Sequence, residues 1–148
     1  MGCCSEDSDT RARAGSYLAG LMFGIGWWSF IDAAAYATQD EQTLNINFVR
    51  SLPGIGTTLA LFGINSMDWG ALTADSMTYH GDNVACKART FVLFCIAVSL
   101  ASLVGSIVIL AQDYVDTDGS PWPGIAVFLQ ATLIFFATFI MKLLTAEG

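Results

Sequence analysis

Two stretches of the chain, Phe91 to Ala111 and Trp122 to Met141, contain no Asp, Glu, Lys or Arg. Each is about as long as the ~20 residues an α-helix needs to cross ~30 Å of hydrocarbon at ~1.5 Å per residue. Runs of this kind restrict the chain to a helical membrane protein, because in lipid every backbone N–H and C=O must be satisfied within the protein. Composition points the same way. Of 148 residues, 54% are hydrophobic and 13% charged, where a soluble domain carries about 25% charge. The 13 acidic and 6 basic residues give a net charge of −7. That excludes a nucleic-acid-binding role, which needs a basic face.

Two further segments complete an even set. Gly15 to Ala37 is long enough to span but contains Asp32, and Ser51 to Met67 is short and dotted with Pro53, Gly54, Gly56, Gly63 and Asn65. The short segment reads as a full span, with a re-entrant loop as the alternative. The expected fold is an all-α integral membrane protein of one domain, residues 15–144. It has four transmembrane helices at about 15–37, 51–67, 91–111 and 122–141, arranged as two hairpins and preceded by an acidic N-terminal tail, residues 1–14. Arg11, Arg13, Lys87, Arg89 and Lys142 fall on one side of this layout and Arg50 on the other, so both termini are expected to be cytosolic. The start Met-Gly-Cys-Cys-Ser-Glu-Asp is acidic and small where a signal peptide is basic, so the first helix is expected to act as the targeting signal. Leu52-Pro53-Gly54-Ile55 and Trp122-Pro123-Gly124-Ile125 form a weak internal echo. Each begins a span, with proline near the first helical turn where its missing N–H costs nothing.

Small residues recur at helical spacing. Gly20 and Gly24 form a Gly-x-x-x-Gly in the first span, and Ala101 and Gly105 repeat the spacing in the third. Such pairs let helices approach closely; packing within the chain's own bundle is the favoured reading and an oligomer interface the alternative. Asp32 shares a helical face with Trp28, Ser29 and Tyr36, and that polar, aromatic face is expected to point into the bundle. Gln130 is expected at a similar depth, as hydrogen-bond partner, with Arg50 at the mouth of the second helix. Two roles compete for this cluster. A structural one ties three helices together through a paired or protonated acid. A functional one makes Asp32 a proton or cation relay. With no second acid or histidine in any span, the structural role is preferred.

Nothing in the sequence sets up catalysis: no nucleophile–base pair, phosphate loop or carboxylate dyad stands out. Cys3, Cys4 and Cys86 fall on the expected cytosolic side and Cys95 within a helix, which argues against a disulfide framework. The single histidine, His80, has no metal-ligand spacing to any cysteine. No cofactor is expected. Met1-Gly2-Cys3-Cys4 is similar to a myristoylation start followed by palmitoylation sites, but Glu6 stands where the motif takes Ser or Thr. Gly2, Cys3 and Cys4 are therefore candidates for lipidation that would tune placement, since the spans supply the anchoring.

Several of these features, in order along the chain, resemble one family. Gly26-Trp27-Trp28 with Ile31-Asp32-Ala33-Ala34, Asn65, Ala88-Arg89, and Pro123-Gly124-Ile125-Ala126-Val127-Phe128 with Gln130 are similar to the small transmembrane protein 50 family, which includes a fungal vacuolar protein sorting member. The similarity runs from Gly15 to Lys142. It departs at the Met-Gly-Cys-Cys start and is loose across Asp68 to Lys87, which touches partner choice and compartment. The resemblance implies a four-span protein of the endoplasmic reticulum, Golgi and endosomes. It also implies a non-enzymatic structural or adaptor subunit in traffic to the vacuole or lysosome, in contact with membrane lipids and with another small integral membrane protein. The alternative is a small transporter or channel component that uses Asp32.

Overall fold

The structure, a computed structural model, describes residues 3–39, 48–67, 81–116 and 121–146. These form four helices: α1 (Cys3–Gln39), α2 (Phe48–Ser66), α3 (Gly81–Asp116) and α4 (Trp122–Ala146). Three contain segments long and apolar enough to cross a membrane, Asp9–Tyr36, Cys86–Gln112 and Trp122–Leu144. α2 is not among them, because Gly, Pro, Ser, Thr and Asn dilute its apolar content over only 19 residues.

Two helices run well past the expected spans. α1 has 37 residues and α3 has 36, each about 55 Å long at ~1.5 Å per residue, against ~30 Å of hydrocarbon. From residue 3 onward, the segment expected as a tail is thus helical, and Lys87 and Arg89 stand on α3 and not in a loop. A Cβ on Gly15 would touch Leu144, and one on Gly63 would touch Cys95. The Lys142 ammonium donates to the Met67 carbonyl at 2.9 Å, placing a cation at the end of α2 where the helix dipole favours it. These three contacts align the helices, so Arg11, Arg13, Lys87, Arg89 and Lys142 collect at one end of the bundle. Among the described residues, Arg50 is the basic side chain at the other end.

α4 is the central element. It packs on α1, α2 and α3, and α2 also packs on α3, while α1 leans mainly on α4. The side of α4 turned inward carries Ala126, Val127, Gln130, Ala131, Ile134, Ala137 and Thr138, each 2% exposed or less. Ile134 and Ala137 meet Ala19 of α1 and Leu61 of α2, with Met22, Phe23, Trp27 and Met141 around them. Lipid tails are as apolar as leucine, so helices in a bilayer gain little from burying leucine. Close backbone approach and dense packing hold them together instead.

The glycines of α2 serve that approach. A Cβ at Gly54 would fall 2.5 Å from the Gln130 amide, and one at Gly63 would fall 2.6 Å from Cys95 Sγ; a Cβ at Gly56 would collide with Ser102. The residues that make α2 a poor membrane span by composition are thus its contact surface with α3 and α4. Thr57 and Thr58 satisfy their hydroxyls on carbonyls of their own helix, at Pro53 and Gly54, so the close packing strands neither of them.

The two proline starts are not equivalent. Pro123 is the second residue of α4, where its missing N–H is one of the orphan donors of a first turn, and the Ile125 N–H donates to the Pro121 carbonyl at 3.1 Å. Pro53 lies inside α2, which begins at Phe48. The expectation that its missing N–H costs nothing near the first turn is corrected, because the helix already runs over Phe48, Val49 and Arg50 before it.

If the Gly63 notch sets the α2–α3 distance, Gly63→Ala should cost about 1–3 kcal/mol by overpacking, despite alanine's ~1 kcal/mol better helix propensity. Adding Cys95→Ala should restore most of that loss. Unfolding of the detergent-purified protein by a denaturing detergent checks this; equal stability of Gly63→Ala and wild type would show that the notch is not tight.

Candidate functional site

The structure separates the residues expected to cluster. Gln130 is fully buried, whereas Asp32 is exposed on the outside of α1, beside Trp28 at 73% and Tyr36 at 46% exposure. Ser29 donates to the Ile25 carbonyl of its own helix at 2.8 Å. The expectation that this face points into the bundle is therefore corrected. The inward face of α1 is instead its small-residue stripe Gly15, Ala19, Gly26 and Ala33, spaced by four or seven positions, which lets α4 come close.

Depth separates Asp32 and Gln130 as well. A Cβ at Gly26 would touch the Gln130 backbone at 3.4 Å, so Gln130 stands level with Gly26. Asp32 is then about 9 Å further along the axis at ~1.5 Å per residue, level with the first turn of α4. Arg50 is half-buried at the start of α2. The edge of α1 that faces α2 is fixed by Trp27, whose Nε1–H donates to Thr58 Oγ1 at 3.2 Å, and by Phe23, whose ring packs edge-on to Phe62 at 6.4 Å. Asp32 lies about 140° round the helix from Trp27 at ~3.6 residues per turn, and no ion pair joins it to Arg50. Among the described residues its carboxylate makes no hydrogen bond.

The three residues of the Gly-Trp-Trp sequence thus have three destinations. Gly26 admits the α4 backbone, Trp27 bonds to α2, and Trp28 faces out. The Ile-Asp-Ala-Ala sequence divides in the same way, with Ile31 and Asp32 outward and Ala33 buried at 1% exposure. The Gly-x-x-x-Gly of the first span is also outward. Gly20 and Gly24 are exposed, and a Cβ on either would meet nothing within 4 Å. The expectation that this pair packs the chain's own bundle is corrected, because α4 occupies the opposite face. Ala101 and Gly105 of α3, with Pro53, Leu52 and Val98 among others, line an open apolar groove of about 600 Å³ between α2 and α3.

Gln130 has a different character. Its amide nestles in the notch of Gly54, and neither Nε2 nor Oε1 has a hydrogen-bond partner. Other polar side chains of the spans return to their own helices: Asn65 to Leu61, Ser102 to Val98, Ser106 to Leu103, Thr132 to Phe128 and Thr138 to Ile134. Sequence reasoning gave Gln130 a partner and missed the Trp27–Thr58 bond, for which the only signal was two polar atoms at compatible depth.

Of the lipidation candidates, Gly2 lies outside the described residues, as does His80. Cys3 and Cys4 open α1. Cys86 is an exposed free thiol and Cys95 a buried one. Among the described residues no group of three or more His, Cys, Asp or Glu is placed to hold a metal ion.

A helical bundle with three membrane-crossing candidates, a glycine-notched core and polar groups turned back on their own helices is the build of a multi-pass integral membrane protein. The chain belongs to a family described as Uncharacterised protein family (UPF0220), whose model matches residues 2–147. It is 29% identical over 133 residues to a Transmembrane protein 50 homolog of Dictyostelium discoideum, covering 84% of each chain. It is 34% identical over 102 residues to a UPF0220 protein of Schizosaccharomyces pombe, covering 68% of this chain and 60% of the relative. It is 29% identical over 123 residues to Vacuolar protein sorting-associated protein 68 of Saccharomyces cerevisiae, covering 75% of this chain and 67% of the relative. No solved structure matches.

A buried amide without a partner carries its desolvation cost uncompensated, about 1–3 kcal/mol. Gln130→Met keeps the length of the side chain and removes that cost, so thermal stability in mild detergent should stay level or rise. A loss of more than about 1 kcal/mol would show that the amide is bonded in the folded protein.

Proposed function

We propose that this chain is a non-enzymatic structural or adaptor subunit of endosomal and late secretory membranes, supporting delivery of membrane proteins to the vacuole or lysosome. The observation that carries the reading is the likeness, over 75% of this chain, to a relative named for vacuolar protein sorting. The geometry supports it in a second way. The core of the bundle is filled by α4 and its small-residue contacts, while a large apolar and aromatic face of α1 stays open to other membrane components. The transporter alternative has less to rest on, since Asp32 lies outside the bundle and a path through the single chain does not meet it.

In this reading all four helices span. α2 crosses with its polar and glycine positions turned to α3 and α4, and both termini are cytosolic. The gathering of Arg11, Arg13, Lys87, Arg89 and Lys142 at one end supports that orientation. The compartment is an endosomal, Golgi or endoplasmic reticulum membrane, and the partner is another small integral membrane protein.

The test is genetic. In cells lacking the protein, a membrane reporter destined for the vacuole or lysosome should accumulate in endosomes, and expression of this chain should restore its delivery. Normal delivery without the protein would overturn the proposal.

A further inference from the structure

The outward face of α1 combines two features that do not suit plain contact with lipid. Asp32 lies within the apolar segment Asp9–Tyr36, just beneath the level of Trp122, exposed and without a hydrogen bond or ion pair among the described residues. Intramembrane carboxylates almost always face a protein interior or a counter-charge, because lipid cannot solvate them. On the same face, Gly20 and Gly24 leave a shallow, unfilled track flanked by Tyr17, Leu21 and Trp28, at 80%, 61% and 73% exposure. A track of this kind admits a helix backbone at close range.

Charge decides what fits. A second copy in the same membrane is inserted in the same orientation, so a symmetric contact along Gly20 and Gly24 brings two Asp32 carboxylates to one depth, where they repel. Within its own face, α1 offers no relief. Arg13 is the basic residue in line with the track, and it lies about 28 Å from Asp32 along the helix at ~1.5 Å per residue. A basic side chain supplied from outside the chain removes the cost.

We infer that the Gly20–Gly24–Asp32 face of α1 is a docking surface for a transmembrane helix of a different protein. That helix carries a lysine or arginine at the depth of Asp32 and packs its backbone against the two glycines. This rests on the adaptor reading and supplies the place and chemistry of the contact.

The full chain, labelled with a donor fluorophore and reconstituted in phosphatidylcholine vesicles, is titrated with acceptor-labelled synthetic helices of about 22 apolar residues. One helix carries Gly-x-x-x-Gly and a lysine eight positions beyond its second glycine; its control has leucine in place of the lysine. Energy transfer should favour the lysine helix by about tenfold in apparent affinity. Asp32→Asn should abolish that preference, and Gly24→Leu should weaken binding. Neither variant touches the packed core, so both should keep wild-type stability. Equal binding of the two helices, no binding of either, or retention of the preference in Asp32→Leu would overturn the inference. Self-association of the labelled chain that Gly24→Leu abolishes would also overturn it, by making a second copy the occupant. In the cellular assay, full rescue by Asp32→Leu would remove this surface while leaving the adaptor reading intact. Failure of the wild-type chain itself to rescue would remove the adaptor reading.

Discussion

The fold depends on helices approaching one another over glycine. Gly26 brings α1 against the backbone of α4 at Gln130, Gly54 receives the amide of that same glutamine, and Gly56 and Gly63 seat Ser102 and Cys95 of α3. In water, the burial of leucine and phenylalanine would do much of this work. In a bilayer those side chains are equally content in lipid, and 25 large apolar residues among those described are accordingly exposed on the outside of this bundle. What remains to hold four helices together is contact at short range, and short range requires residues without side chains. Gln130 lies where three helices meet, between Gly26 of α1 and Gly54 of α2.

The same constraint produces the two-sided character of α1. One stripe, Gly15, Ala19, Gly26 and Ala33, is used by α4. The opposite stripe, Gly20 and Gly24, has the same small-residue character and no occupant among the described residues. Asp32 is on that second side. A helix with two small-residue stripes can belong to its own bundle and to another protein at once, which is what the proposed adaptor role requires.

Much of the architecture was legible in the sequence. Phe91 to Ala111 and Trp122 to Met141 read as helices because an uncharged apolar run of ~20 residues matches a spanning helix and is about twice the length of a barrel strand. The family was legible from the Gly-Trp-Trp with Ile-Asp-Ala-Ala and Pro-Gly-Ile-Ala-Val-Phe blocks. The direction of the Asp32 face was not. Helical periodicity shows that Trp28, Ser29, Asp32 and Tyr36 fall on one side, but not whether that side faces in or out. The usual rule for intramembrane charges points inward, and only the position of α4 on the Gly26 and Ala33 side reverses it. The choice between Gly20–Gly24 and Gly15–Ala19–Gly26 as the packing stripe was open for the same reason, since both have suitable spacing. Pro53 and the glycines of α2 looked like interruptions because their value lies in what the neighbouring helices insert into them.

The orientation of α1 is the claim on which the rest turns, and oxygen accessibility of nitroxide labels measures it directly. In the purified chain in phosphatidylcholine vesicles, single labels along α1 should show maxima at Tyr17, Gly24 and Trp28 and minima at Ala19, Gly26 and Ala33, repeating at the ~3.6-residue helical period. A pattern with its minima at Gly24 and Trp28 would place the Asp32 face inside the bundle and contradict the account.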